Sequence, residues 1–305
     1  MKVVYFGSGD FSLPIVDRLR TPIELVGLVI VKPKPKGRGL KTSLPKIAAW
    51  AKDNHIDIYD PESPNDPDFI KQMSDLKPDL FILSAYSHIL GHDLLAVPRL
   101  GAINIHPSLL PRYRGAAPIQ RAIMADEKIT GLTIFFMDER IDHGEVIFQK
   151  EAFITDEDNY DSLARRLSSL AADSIIDIIA SIEHGSYSRR TQDETGKSAA
   201  PKIKKEETII DWGKSARSIF NLIRALSPGP GARAMFRGQE LIIIEAALST
   251  ECYDPRTFHI RNRTLYAGAH NGSLVIKRLK PENRTAMSGS DFINGFRVKE
   301  GEEIQ

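Results

Sequence analysis

Cysteine occurs once in this chain, at Cys252. A single thiol cannot close an internal disulfide, and a thiolate zinc site needs more than one. The expectation is a reducing, cytoplasmic setting. Long apolar runs are missing as well. The longest, Leu25 to Val31, falls far short of the ~20 residues that span a bilayer, so no membrane partner is expected. Lys2 is followed by no long apolar run, because Gly7-Ser8-Gly9-Asp10 interrupts early, which argues against a secretory leader. No three-ligand cluster at metal-binding spacing occurs, so no metal is expected.

What is present suffices for two domains: 305 residues of ordinary globular composition. Net charge is only +1, but it is unevenly placed. Residues 201–305 hold 17 Lys/Arg against 12 Asp/Glu, and the remainder holds 24 against 28. Within that acidic remainder, Lys32, Lys34, Lys36, Arg38, Lys41 and Lys46 cluster around Gly37 and Gly39. Taken alone, such runs read as solvated surface. Facing one partner, they would suit a phosphate backbone.

Short apolar runs alternate with helical segments through the first half. Strands are predicted at Lys2 to Phe6, Leu25 to Val31, Ile56 to Tyr59, Leu80 to Ser84 and Ala102 to Ile105. Helices are predicted at Ser12 to Arg20, Lys46 to Asn54 and Asp66 to Leu76, with Asp66 as a cap. This is the pattern of an α/β fold with a doubly wound, mostly parallel sheet. The periodic stretch Tyr160 to Glu183 predicts a helix covering it. Polar residues 186–203 read as a linker between a domain over 1–185 and a second over 204–305. In the second, a helix at Ala216 to Leu226 ends at Pro228-Gly229-Pro230-Gly231. Short strands follow at Ala232 to Phe236, Glu240 to Ala246, Thr264 to Ala267 and Leu274 to Lys280, which read as a small barrel. Gly7-Ser8-Gly9 is only weakly like a dinucleotide loop. Ser12 stands at the third glycine position and Lys32, not an acid, follows the second strand, so close packing is its expected use.

Gly101 to Gly144 carries the chemistry. Asn104 and His106 are two residues apart and so share one face of the strand that Ala102 to Ile105 begins. Pro107 and Pro111 then force a shaped loop. A second strand, Gly131 to Met137, runs into Asp138 and Asp142 just before Gly144. In open α/β sheets, ligands bind at the carboxyl ends of strands. An amide, an imidazole and a carboxylate there suit transfer of an acyl-level carbon. One donor meets the developing oxyanion, and another group moves protons from the attacking nitrogen. The same residues also fit a structural histidine, a turn asparagine and a plain turn at Asp142-His143-Gly144.

Asn104-Ile-His106 followed by Ser108-Leu-Leu-Pro111, with the later Asp142-x-Gly144, resembles the signature of the folate-dependent formyltransferases. The run Arg114-Gly-Ala-Ala-Pro-Ile-Gln-Arg-Ala-Ile123 is most similar to the branch that formylates methionyl-tRNA, as is Ala200-Pro-Lys-Ile203 leading to Ile210-Asp-Trp212. The likeness covers nearly the whole chain. It implies a Rossmann-like formyltransferase domain followed by a small OB-type β-barrel that holds tRNA. It also implies an enzyme of translation initiation, acting as a monomer. The formyl group of 10-formyltetrahydrofolate, the co-substrate, would pass to the amino group of methionine on initiator methionyl-tRNA.

By this resemblance Asn104, His106 and Asp142 match the catalytic trio. Ser108, Leu109, Leu110 and Pro111 match the folate loop. Tyr86, His88, Ile89, Leu90 and Asp138 fall in segments that wrap the pterin. Lys36, Arg38 and Lys41, around a Gly-Arg-Gly loop, would meet tRNA, as would Lys204 and Lys205. Two positions depart from the pattern: no tryptophan stands between Pro228 and Pro230, and Pro107 replaces a small residue. A sugar-nucleotide formyltransferase with the same donor is the alternative. A non-catalytic RNA-binding protein on the same fold is a third reading.

Overall fold

Successive residues of a strand face opposite sides, and the first sheet uses both. Val3, Tyr5, Leu80 and Ile82 enter one core, and Val4, Phe6, Phe81 and Leu83 enter another. Strands buried on both faces belong in a parallel sheet covered by helices, and this explains their unbroken apolar runs. The computed structural model describes residues 1–32 and 45–305. Lys34, Lys36, Gly37, Arg38, Gly39 and Lys41 lie outside the described residues.

The first sheet is built from β1 (Lys2–Gly7), β2 (Glu24–Val29), β3 (Ile58–Tyr59), β4 (Leu80–Ser84), β5 (Ala102–His106), β6 (Ile129–Phe136) and β7 (Val146–Phe153). Its strand order is β3-β2-β1-β4-β5-β6-β7. Pairing is parallel from β3 to β5, and antiparallel for β5–β6 and β6–β7. Helices α1 (Leu13–Leu19) and α2 (Lys46–Asp53) share one core with the far part of α6 (Tyr160–Glu183). Helices α3 (Pro67–Asp75) and α4 (His92–Leu95) supply Phe69, Met73 and Leu94 to the other core. Asp66 caps α3, accepting the Asp68 N–H at 3.0 Å. Gly7 is a packing glycine as expected, because a Cβ there would collide with the Tyr5 ring and the Ser12 hydroxyl. A short helix, α5 (Pro118–Met124), precedes β6.

A second sheet follows helix α7 (Ala216–Ala225). It contains β8 (Ala232–Phe236), β9 (Gln239–Ser249), β10 (Thr257–Arg261), β11 (Thr264–Ala269), β12 (Gly272–Pro281), β13 (Met287–Ser288) and β14 (Glu302–Glu303), with α8 (Gly289–Phe296) between the last two. Its order is β14-β10-β11-β12-β9-β8, with β13 on β12. Register shifts in the long β9–β12 pair let the sheet coil. Met235 and Gln305 then exchange backbone hydrogen bonds across the two outer edges. Trp212, Phe220, Phe236, Phe258 and Phe292 fill the interior of this curled sheet.

The division between compact units is not a single cut. The first contains 1–118, 129–153 and 164–201; the second contains 119–128, 154–163 and 202–305. The segment 186–201, read as a linker, therefore lies within the first unit. Residues 119–128 and 154–163, read as part of the first domain, are held in the second. Buried Arg224 explains part of this, donating to the carbonyls of Thr155 at 2.6 Å and Asp158 at 3.2 Å. Arg217 reaches Asp156 at 2.7 Å. Arg121 grips Glu207 with two bonds of 2.6 and 3.0 Å. Among the described residues, no helix is long and apolar enough to cross a membrane.

The Arg121 guanidinium beside Glu207 holds that carboxyl down at about 2. A value lowered in the folded state contributes stability above the ordinary carboxylate range and loses it as pH falls. Arg121→Met is therefore expected to lower the melting temperature slightly near neutrality, by about 1–2 °C for a partly exposed pair. The gap to the parent should close as the pH drops from about 4.5 toward 2. Thermal scans across that range check it, and a gap independent of pH would refute it.

Candidate active site

At the carboxyl end of β5 the sheet changes from parallel to antiparallel pairing. Asn104 sits opposite Phe135 of β6, and His106 opposite Thr133. Their alternation puts both side chains on one face. β7 pairs with β6 on the side away from β5. The loop joining β6 to β7 must therefore lean across β6 for Asp142 to reach β5, and it does. Asp142 Oδ1 lies 3.4 Å from Asn104 Nδ2, and its Oδ2 lies 3.6 Å from His106 Nδ1. The three expected catalytic residues thus meet in one place.

Proton positions follow from the partners. His106 Nε2 is 3.0 Å from the Tyr113 carbonyl, which can only accept, so Nε2 carries a proton. Nδ1 then faces the Asp142 carboxylate at 3.6 Å. Asp142 Oδ2 also accepts the Gly115 N–H at 2.8 Å. His106 is only 4 % exposed. The ring thus turns inward, between the Tyr113 carbonyl and Asp142, and not outward to an oxyanion. The Asn104 amide has a second N–H beyond the one facing Asp142, and so is the better placed donor.

The loops that make this contact need unusual backbone. Asp142 and Tyr113 are left-handed, at φ 49° and 62°. Asp tolerates that region better than most residues, but not without cost. Gly115, at φ 126°, has no room for a Cβ, which would meet the Ala200 carbonyl oxygen at 2.7 Å. A Cβ on Gly144 would collide with the Phe136 carbonyl oxygen. The glycine of Asp142-x-Gly144 is thus what lets the loop close onto β6. Arg114 donates to the Ser198 carbonyl at 2.9 Å, and the Ala200 N–H returns a bond to the Arg114 carbonyl at 2.6 Å. Two stretches quoted separately for the family resemblance are therefore paired with each other.

The expected folate residues divide by burial. Ser108 and Leu110 face inward. The Ser108 hydroxyl donates to the Arg112 carbonyl at 2.7 Å, and the Leu110 N–H to Thr133 Oγ1 at 3.1 Å. Leu90 is buried beside Phe6 and Phe81. The side chains of these three serve the shape of the site. Leu109, Pro111, Tyr86 and His88 are half-buried, and Ile89 is 59 % exposed. The Tyr86 ring stands edge-on to Phe6 at 5.4 Å. Its hydroxyl is buried without a hydrogen-bond partner among the described residues, and burial pushes it up to about 12. Asp138 is turned into its own loop, accepting from Arg140 N at 2.9 Å and contacting His143 Nδ1 at 2.6 Å. Lys204 and Lys205 are exposed in the second unit, close to Glu207.

Sequence reasoning assigned no role to Tyr113, Gly115 or Gln192. Gly115 stood in a quoted motif, so its role was within reach. Gln192 lay in a polar stretch where composition gives no sign of burial.

The description "Formyl transferase" matches residues 1–179, and "Formyl transferase, C-terminal domain" matches residues 202–297. Similar proteins include a methionyl-tRNA formyltransferase of Dictyoglomus thermophilum, 36% identical over 100% of both chains. Another, from Thermodesulfovibrio yellowstonii, is 37% identical over 98% of this chain and 97% of its own. Among solved structures, a sugar 3N-formyl transferase with dTDP and 5-N-formyl-THF shares the fold, with TM-score 0.68 at 19% identity over 93% of this chain and 99% of that one. HypX from Aquifex aeolicus in complex with tetrahydrofolic acid aligns with TM-score 0.66 at 18% identity, over 97% of this chain and 48% of that one. With both of its domain types matched in order, the chain belongs to the formyltransferase family.

Proposed function

We propose that the chain transfers the formyl group of 10-formyltetrahydrofolate to the amino group of methionine on initiator methionyl-tRNA, as a cytoplasmic monomer without a membrane partner. The observation that carries this is the meeting of Asn104, His106 and Asp142 at the end of β5, in a chain whose full-length relatives bear that activity in their names. The amine attacks the formyl carbon, a carbon–nitrogen bond forms, and the oxygen becomes negative. The second Asn104 N–H meets that charge. The attacking nitrogen sheds its proton to Asp142, directly or through water. The intermediate collapses by breaking the bond to the folate nitrogen, which takes up a proton from the Asp142–His106 pair. Protons balance, and no metal enters.

In this reading Leu109, Pro111, Tyr86, His88 and Ile89 line the pterin side, joined by the 60 %-exposed Ile141. Lys36, Arg38 and Lys41 place the acceptor end, and Lys204 and Lys205 hold phosphates. Neutralising the last two is expected to weaken binding of any tRNA alike and to flatten the dependence of affinity on log salt by about one unit per lost contact. Titrations at several salt concentrations check this; an unchanged slope removes both lysines from the tRNA surface. The activity itself is tested by offering the formyl donor with methionyl-tRNA and, separately, with amino-sugar nucleotides. Formylation of the sugar alone would move the chain to the alternative acceptor. Tight tRNA binding without any formyl transfer would make it a non-catalytic RNA-binding protein.

A further inference from the structure

Gln192 is 7 % exposed, and all its polar atoms are in use. Its amide nitrogen donates to the carbonyls of Asp142 at 3.0 Å and Gly144 at 2.9 Å. Its oxygen accepts from Arg114 Nε at 3.1 Å and from a terminal nitrogen of the same guanidinium at 2.8 Å. Arg114 is held in turn by Glu194 at 2.7 Å. One side chain thus spans the two carbonyls on either side of His143, the stretch in which Asp142 is left-handed. On the far side of the same carboxylate, the residue after Arg114 supplies the N–H that Asp142 Oδ2 accepts. Arg114 and Gln192 therefore fix the catalytic turn from behind while Gly115 fixes it from in front.

We propose that Gln192 is a positioning residue, which sets the turn so that the Asp142 carboxylate points at His106 and Asn104. This rests on the reading of Asp142 as the proton-handling group. A carboxylate displaced by about 1 Å can lose on the order of a hundredfold in rate without loss of substrate binding. Only the amide nitrogen can donate to the two carbonyls. Gln192→Glu keeps the size and the acceptor for Arg114 but opposes oxygen to oxygen. Gln192→Met removes both polar functions at similar volume.

The experiment is a double-mutant cycle with Asp142→Asn, reading kcat and KM for both substrates, with melting temperature alongside. We expect Gln192→Met and Gln192→Glu each to lower kcat by about ten- to a hundredfold with KM changed less than about twofold. In the Asp142→Asn background, either change should cost less than about twofold, because its target is already gone. An equal loss in both backgrounds, or no loss in the parent, overturns the proposal. If Gln192→Met does not fold, the Glu variant decides. If neither folds, Gln192 is a structural residue and the proposal fails. A catalytic reading that is itself wrong gives a different sign: Asp142→Asn then turns over normally, and this proposal falls with it.

Discussion

Asp142→Asn is expected to lower kcat by roughly two orders of magnitude or more while leaving KM for the formyl donor nearly unchanged. The substitution suits the site because asparagine tolerates the left-handed backbone that Asp142 adopts at φ 49°. Its amide oxygen can still accept the Gly115 N–H, which the native carboxylate receives at 2.8 Å. The turn therefore survives. What disappears is the ability to take a proton from the attacking amine, and with it the negative charge that faces His106 Nδ1 3.6 Å away. Asp142→Ala would confuse the result, since it also removes the acceptor for Gly115 and places alanine in a left-handed turn. Steady-state kinetics and melting curves on the Asn variant are the measurement. Near-parental turnover in a folded variant would remove Asp142 from the chemistry.

Asn104→Ala is expected to cost about 3 kcal/mol of transition-state stabilisation, the usual size for one oxyanion donor. The loss should appear in kcat rather than in folding, for a geometric reason. The one hydrogen bond that Asn104 makes to Asp142 is long, at 3.4 Å, and Asp142 keeps its shorter bond to Gly115. Little stability rides on the side chain, so a structural asparagine and a catalytic one predict different results. A variant with a depressed melting temperature and ordinary turnover would make Asn104 a turn residue. Combined with Asp142→Asn, the loss should be less than additive if both act on one transition state.

Elements with a strong local signature were legible from the chain alone. Val3 to Phe6 and Leu80 to Leu83 are apolar throughout because both faces are covered, and Tyr160 to Glu183 keeps helical spacing along its length. β7 was not foreseen, since Val146–Phe153 mixes buried and exposed residues at the sheet's margin. α8 was missed because Gly289 and Gly295 lie inside it, and glycine is a poor helix former. β10 is five residues long with charged neighbours. The trio was legible through spacing and resemblance. Its support was less so, because support depends on contacts between distant segments. Nothing near Arg114 announces that it pairs with Ser198, and nothing near Gln192 announces that it holds Asp142. The non-contiguous second unit was hidden for the same reason: nothing near Arg121 or Arg224 in sequence announces Glu207 or the Thr155 carbonyl as a partner.

The pairing of the 113–117 stretch with 198–200 has a consequence for how the chain comes together. Tyr113 N donates to Ser198 Oγ across 85 residues of sequence. β5, which carries both Asn104 and His106, lies before the 198–200 segment, and so does Asp142. The sheet can therefore assemble from local pieces, whereas the stretch that sets Gly115 against Asp142 is also held by a much later one. Closing so long a loop is slow relative to forming the neighbouring strand pairs. On the refolding chain, activity is therefore expected to return after the circular-dichroism signal of secondary structure, and stopped-flow recovery of both is the measurement.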